Sequence, residues 1–188
     1  MLMVLWDRQT GTIVNNESVG IVRMLNSAFA EIVDQAPDLY PEHLAGKINT
    51  LNDYIYKNLN NSVYQAGFAS SQAAYNEAYG KVFAALDELE SRLADGRAYL
   101  FGDRLTETDI RLFVTLVRFD AAYHGLFKCN RNTPWAMPYL HAYTLRILAL
   151  EGIASTVNID HIKAGYYSIK ALNPTGIVQA GPSVQPMA

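Results

Sequence analysis

The apolar positions of this chain open with two short strand-like runs and continue as a long series of helical stripes. Residues 1–6, MLMVLW, read as a strand, residues 7–11 as a turn, and Thr12, Ile13 and Val14 as a second strand. Residues 2–14 thus predict a hairpin. The polar run Asn15-Asn16-Glu17-Ser18 follows directly, and Ile21, Leu25, Ala28, Phe29 and Ile32 then recur at helical spacing. A hairpin alone is marginal in water and needs more strands or a packed helix. The chain offers it no further strand. The Pro-bearing stretch 35–41 reads as a linker, which divides the chain into residues 1–35 and 36–188.

Everything after the linker reads as helix. Leu44, Ile48, Leu51, Ile55 and Leu59 mark one helix, closed by Asn60-Asn61. Ala74, Ala78, Val82, Leu86, Leu89 and Leu93 mark another, with Ser70 or Ser71 as its cap. Leu140, Tyr143, Leu145, Ile147, Leu148 and Leu150 mark a third, and Ile162, Tyr166, Tyr167 and Ile169 a last one, capped by Asp160. The clearest signal lies in residues 105–129. Thr106 and Asp109 have the spacing of a capping box, with Asp in place of Glu. Behind them Ile110, Leu112, Phe113, Val114, Leu116 and Val117 cover most of the helix circumference, the pattern of a buried central helix. From Leu172 onward the Pro- and Gly-bearing sequence predicts an extended tail.

Composition narrows the function classes. The chain has 188 residues, half of them hydrophobic and 18% charged, with a net charge of −3. That is a globular protein whose charge balance indicates neither nucleic acid nor an anionic membrane as partner. No apolar run has the length of a membrane span. The lone cysteine excludes an internal disulfide framework and fits a reducing, cytoplasmic setting. His43, His141 and His161 lack metal-ligand spacing, so no metal site is expected.

Three places carry candidate chemistry. Asn16-Glu17-Ser18 stands at a helix start, where free N–H groups and the dipole favour a carboxylate and Glu17 can accept from an ammonium. The same residues also read as a plain helix cap. Tyr123 and His124, near Phe119, Phe127 and Lys128, can polarise a substrate oxygen. They equally suit an aromatic lid over the core. Cys129 has Lys128 and Arg131 nearby but no partnering base, and reads as a packing residue. Asp109 is assigned to the cap and not to catalysis.

The strings VLWDRQTGTIVNNES, LTETDIRLFVTLVRFDAAYHGLFKCN and NPTGIV resemble the glutathionyl-hydroquinone reductases, the Xi class of glutathione transferases. The resemblance covers essentially the whole chain. It implies a mostly α fold: an all-helical glutathione transferase C-terminal domain preceded by the last part, a β-hairpin plus helix, of a thioredoxin-like domain. It also implies glutathione as co-substrate, an aromatic quinol-type substrate and a homodimer. In this family a cysteine of the first domain removes glutathione from glutathionyl-hydroquinones as a mixed disulfide, and a second glutathione regenerates the thiol. Carried over by local match, Glu17 and Ser18 hold the γ-glutamyl end of glutathione, and Leu2 takes the place of the residue before a cis-proline. Tyr64, Tyr123 and Tyr166 point at the sulfur and the quinol oxygen.

Two departures from the family pattern stand out. Met3 occupies the place of the family's proline, so the cis-proline loop is expected to be lost. The segment with the family's catalytic cysteine has no counterpart in the sequence, and Cys129 does not match it. The expectation is a chain truncated at the N-terminus and inactive or nearly so, with a non-catalytic helical module for an aromatic ligand or a protein partner as the alternative.

Overall fold

The computed structural model of the chain describes residues 4–29, 31–32 and 37–181. The chain divides into two compact units, residues 1–48 and 49–188. The division falls inside a helix, whereas the sequence suggested one after residue 35.

In the first unit β1 (Leu5–Asp7) pairs antiparallel with β2 (Thr12–Asn15), Trp6 lying opposite Ile13 and Asp7 opposite Thr12. The turn is made by Asp7, whose Oδ1 accepts from the N–H groups of Gln9 (2.7 Å) and Thr10 (3.2 Å). Gly11 closes it at φ +66, a conformation that favours glycine. Helix α1 (Ser18–Ser27) follows. It stops short of the predicted Ile32, and of the predicted apolar stripe only Ile21 is buried. Leu25, Phe29 and Ile32 stay 53%, 46% and 78% exposed. The cause is physical: two short strands and one helix have too little surface to close a core over that stripe. Residues 38–40 are tied back to α1: the side-chain amide of Asn26 donates to Asp38 (3.1 Å), its oxygen accepts from the N–H of Leu39 (2.7 Å), and Arg23 lies over the Tyr40 ring. Leu2 and Met3 lie outside the described residues.

The predicted helix 44–59 is three pieces: a 3-10 turn (Glu42–Leu44), α2 (Ala45–Ile55), and a π turn (Tyr56–Asn60). Then come α3 (Ser62–Gly67), α4 (Gln72–Leu93), α5 (Glu107–Arg118), a second π turn (Phe119–Tyr123), α6 (Pro138–Leu148) and α7 (Ile159–Tyr167). Helix α4 packs on α3 and α6, α5 packs on α6, and α7 packs on the second π turn. The buried face of α4 is Ala78, Val82, Leu86, Leu89 and Leu93, and its cap is Ser71, which accepts from the N–H of Ala74 at 3.2 Å.

Two expectations need correction. The last helix is capped by Asn158, whose oxygen accepts from the N–H of His161 (2.9 Å); Asp160 sits in the first turn, where its charge complements the helix dipole. Helix α5 is not buried all round: Val114 is 39% exposed, and Ile110 and Val117 are half-buried. Its polar first turn is buried instead, because every charge there has partners. Asp109 Oδ2 accepts from the N–H and the hydroxyl of Thr106, each at 2.8 Å, and both halves of the capping box are present. Its Oδ1 accepts from the N–H of Leu100 and the hydroxyl of Tyr143, each at 2.9 Å. Glu107 accepts from Asn52 at 2.7 Å. Asp109 thus fastens the connector before α5 and the middle of α6 to one carboxylate.

Candidate functional site

The site is built on two π turns. In each, the closing N–H reaches back five residues: Asn61 to Tyr56 O (2.9 Å) and His124 to Phe119 O (2.8 Å). One extra residue in a helical turn re-phases the side chains that follow by about 100°. The first π turn is held against α5 by Asn60, whose amide donates to Arg111 O (3.1 Å) and Thr115 Oγ1 (2.5 Å). It leads into α3 and Tyr64. The second continues α5 and ends on Tyr123. Helix α7 lies across this second turn and brings Tyr166 to it.

These three tyrosines meet. The hydroxyl of Tyr166 lies 2.6 Å from that of Tyr64 and 2.9 Å from that of Tyr123, forming a single hydrogen-bonded chain of three phenols. Exposure rises along it: Tyr123 is 2% exposed and Tyr64 39%. Phe127 fills the centre, with its ring 5.3 Å from those of Tyr64 and Tyr123 and 5.8 Å from that of Tyr166. Burial pushes the hydroxyls of Tyr123 and Tyr166 above the ordinary phenol range. Both are protonated donors at neutral pH, as any phenol is, and burial moves them further from acting as bases. A chain of polarised hydroxyls with one wet end suits an oxygen or sulfur that carries negative charge, and the surrounding rings suit a flat aromatic ligand.

The loop after Tyr123 is held from two sides. The N–H of Cys129 donates to Tyr123 O (3.0 Å), and the hydroxyl of Tyr75 donates to Lys128 O (2.6 Å). Lys128 takes φ +60 there, uncommon for a residue with a side chain. His124 follows the π turn half-buried and makes no part of the hydroxyl chain. Cys129 is fully buried, its thiol pushed up to about 12 by desolvation.

The remaining candidates lie on the first unit. Glu17 is the N-cap position of α1 and Ser18 its first residue, both exposed, and the Glu17 side chain makes no cap bond. Its backbone N–H donates to Asn15 Oδ1 at 2.8 Å. Leu2 is outside the described residues. Among the described residues no group of three or more His, Cys, Asp and Glu could hold a metal ion, and no helix is long and apolar enough to cross a membrane.

Sequence reasoning missed Gly67. It stands one turn after Tyr64 on α3, and a Cβ there would overlap the Phe127 ring. The signal was available as a glycine inside a helical pattern. Tyr75 and the tail residue Gln179, which packs near this loop, carried no local signal.

Residues 72–146 match the family model of the glutathione S-transferase C-terminal domain. The chain is 49% identical over 185 residues to the glutathionyl-hydroquinone reductase PcpF of Sphingobium chlorophenolicum, covering 98% of this chain and 58% of that protein. It is 50% identical over 180 residues to the glutathionyl-hydroquinone reductase YqjG of Escherichia coli (strain K12), covering 95% and 55%. Nearly the whole chain is thus similar to glutathionyl-hydroquinone reductases. Its fold matches glutathione-bound YqjG with a TM-score of 0.94 at 48% identity, over 97% of this chain and 60% of that one. It matches transferase Xi 1 of Trametes versicolor at 0.92 and 46%, over 96% and 64%. The chain spans somewhat over half the length of the curated relatives it matches.

Proposed function

We propose that this chain carries the aromatic-substrate site of a glutathionyl-hydroquinone reductase. The observation that carries the reading is the chain of three phenols from buried Tyr123 through Tyr166 to exposed Tyr64. In the reaction of the whole protein, a thiolate takes the glutathionyl sulfur from the quinol ring as a mixed disulfide. The ring carbon gains a proton, and a second glutathione attacks the mixed disulfide, freeing the enzyme thiol and forming glutathione disulfide. The tyrosines serve this step as donors to the quinol oxygen or to the sulfur. Tyr123 and Tyr166 are protonated at neutral pH, as ordinary phenols are, and burial moves them further from ionising, which suits donors. Glutathione is the co-substrate, with Glu17 and Ser18 at its γ-glutamyl end. The protein works as a cytoplasmic homodimer, its first residues forming the end of a thioredoxin-like domain.

The nucleophile is not Cys129. A buried thiol raised to about 12 has almost no thiolate at neutral pH. The same observation favours a second reading, in which this chain by itself binds an aromatic ligand without turning it over. Turnover of a glutathionyl-hydroquinone by the purified chain tests both. The expected result is little or none, unchanged in Cys129→Ser. Robust turnover abolished by Cys129→Ser contradicts the assignment.

A further inference from the structure

The tail after α7 turns back onto the elements that carry two of the three tyrosines. Asn173, 8% exposed, donates its amide to Tyr167 O (2.7 Å) and Ile177 O (3.1 Å), which folds the start of the tail against the end of α7. Lys163 donates from Nζ to Ala180 O (2.9 Å) and Gln179 O (3.4 Å). Lys163 stands one helical turn before Tyr166, on the same side of α7. Between these anchors the Gln179 side chain lies against Gly125, two residues after Tyr123. A Cβ on Gly125 would overlap the Gln179 amide. Gly125 is not among the glycines at positive φ. Its lack of a side chain therefore provides room for Gln179, not a special backbone turn.

We propose that Gln179 is a positioning residue: seated in the space left by Gly125 and held by Lys163, it straps α7 to the Tyr123 loop and so sets the Tyr166–Tyr123 hydroxyl contact. Gln179 Nε2 is buried without a hydrogen-bond partner. An unpaired buried donor costs free energy, and replacing it by an apolar group of the same shape is neutral or favourable. The seat is thus defined by shape, and an apolar isostere should fill it at least as well. Only the ligand arm of the test rests on reading the tyrosines as a quinol site.

The test compares wild type, Gly125→Ala, Gln179→Ala, Gln179→Met and the double variant Gly125→Ala/Gln179→Ala. Hydrogen exchange of residues 173–181, the near-UV tyrosine circular dichroism and the affinity for hydroquinone are read for each. Gly125→Ala and Gln179→Ala should each speed tail exchange about tenfold, reduce the tyrosine signal and weaken hydroquinone about fivefold. Gln179→Met should keep all three, and the double variant should be no worse than Gln179→Ala, because the clash has gone. Wild-type values in Gly125→Ala and Gln179→Ala overturn the proposal. So does a released tail with an unchanged tyrosine signal. If hydroquinone does not bind wild type, the reading of the site fails, while the exchange and near-UV arms still decide the strap.

Discussion

The hydroxyl of Tyr166 stands between those of Tyr64 and Tyr123, at 2.6 Å from the first and 2.9 Å from the second. It is the link between a phenol 2% exposed and one 39% exposed. Tyr166→Phe leaves the buried Tyr123 hydroxyl without this partner, at a cost of about 1–3 kcal/mol. Tyr123→Phe removes the buried hydroxyl itself and leaves Tyr166 bonded to Tyr64, so the expected loss is smaller, about 0.5–1.5 kcal/mol. Urea unfolding of the two variants checks the order. Equal losses contradict the chain as described.

Glycine-to-alanine changes in helices usually stabilise, since glycine costs about 1 kcal/mol relative to alanine in a helix interior. Gly80, exposed in α4 with open space where its Cβ would be, should follow that rule. Gly67→Ala should do the reverse. Its methyl group overlaps Phe127, and overpacking costs about 1–3 kcal/mol. Opposite signs in thermal unfolding are the expected outcome. The near-UV spectrum should change for Gly67→Ala alone, because Phe127 is the ring on which the three tyrosines pack.

Asp120 lies in the second π turn with Oδ1 buried and unpartnered. Burial pushes its carboxyl up to about 6 from the ordinary 3.8, against the opposing hydrogen bond from Thr133. Between those values the unfolded chain has released a proton that the folded chain keeps. Stability therefore falls as pH rises from the ordinary carboxylate range through about 6, and the loss is complete above it. Asp120→Asn carries no charge at any pH. Its unfolding midpoint should exceed that of wild type clearly at about pH 7.5 and only slightly at about pH 4.5. A pH-independent difference contradicts the assignment.

Local pattern reading succeeds where the determining contacts are local. The Thr106–Asp109 box and the Ser71 cap involve residues three apart, and the α4 stripe is a repeat along one helix. It fails where distant partners decide. Nothing near Tyr56 or Phe119 marks a π turn, and Asn60 reaches α5 across 51 residues of sequence. The Tyr64–Tyr166 contact spans 102 residues. Those tyrosines were reachable only through strings shared with a known family, which placed the residues without supplying their order from buried to exposed. The stripe of α1 shows the opposite error. Its spacing is helical, but Leu25 and Phe29 find no layer within their unit to cover them.

The order from buried to exposed bears on role. On the proposed reading Tyr123, at the closed end, would act through Tyr166, while Tyr64 at the open end is the hydroxyl a ligand would meet first. The most direct test is calorimetric titration of the chain with hydroquinone, for wild type, Tyr64→Phe, Tyr166→Phe and the exposed control Tyr139→Phe. Saturable binding, weakened about tenfold by either cluster variant and untouched by Tyr139→Phe, is the predicted result. Absence of binding to wild type, or equal affinity across the four proteins, contradicts the assignment of this phenol chain as the aromatic-ligand site.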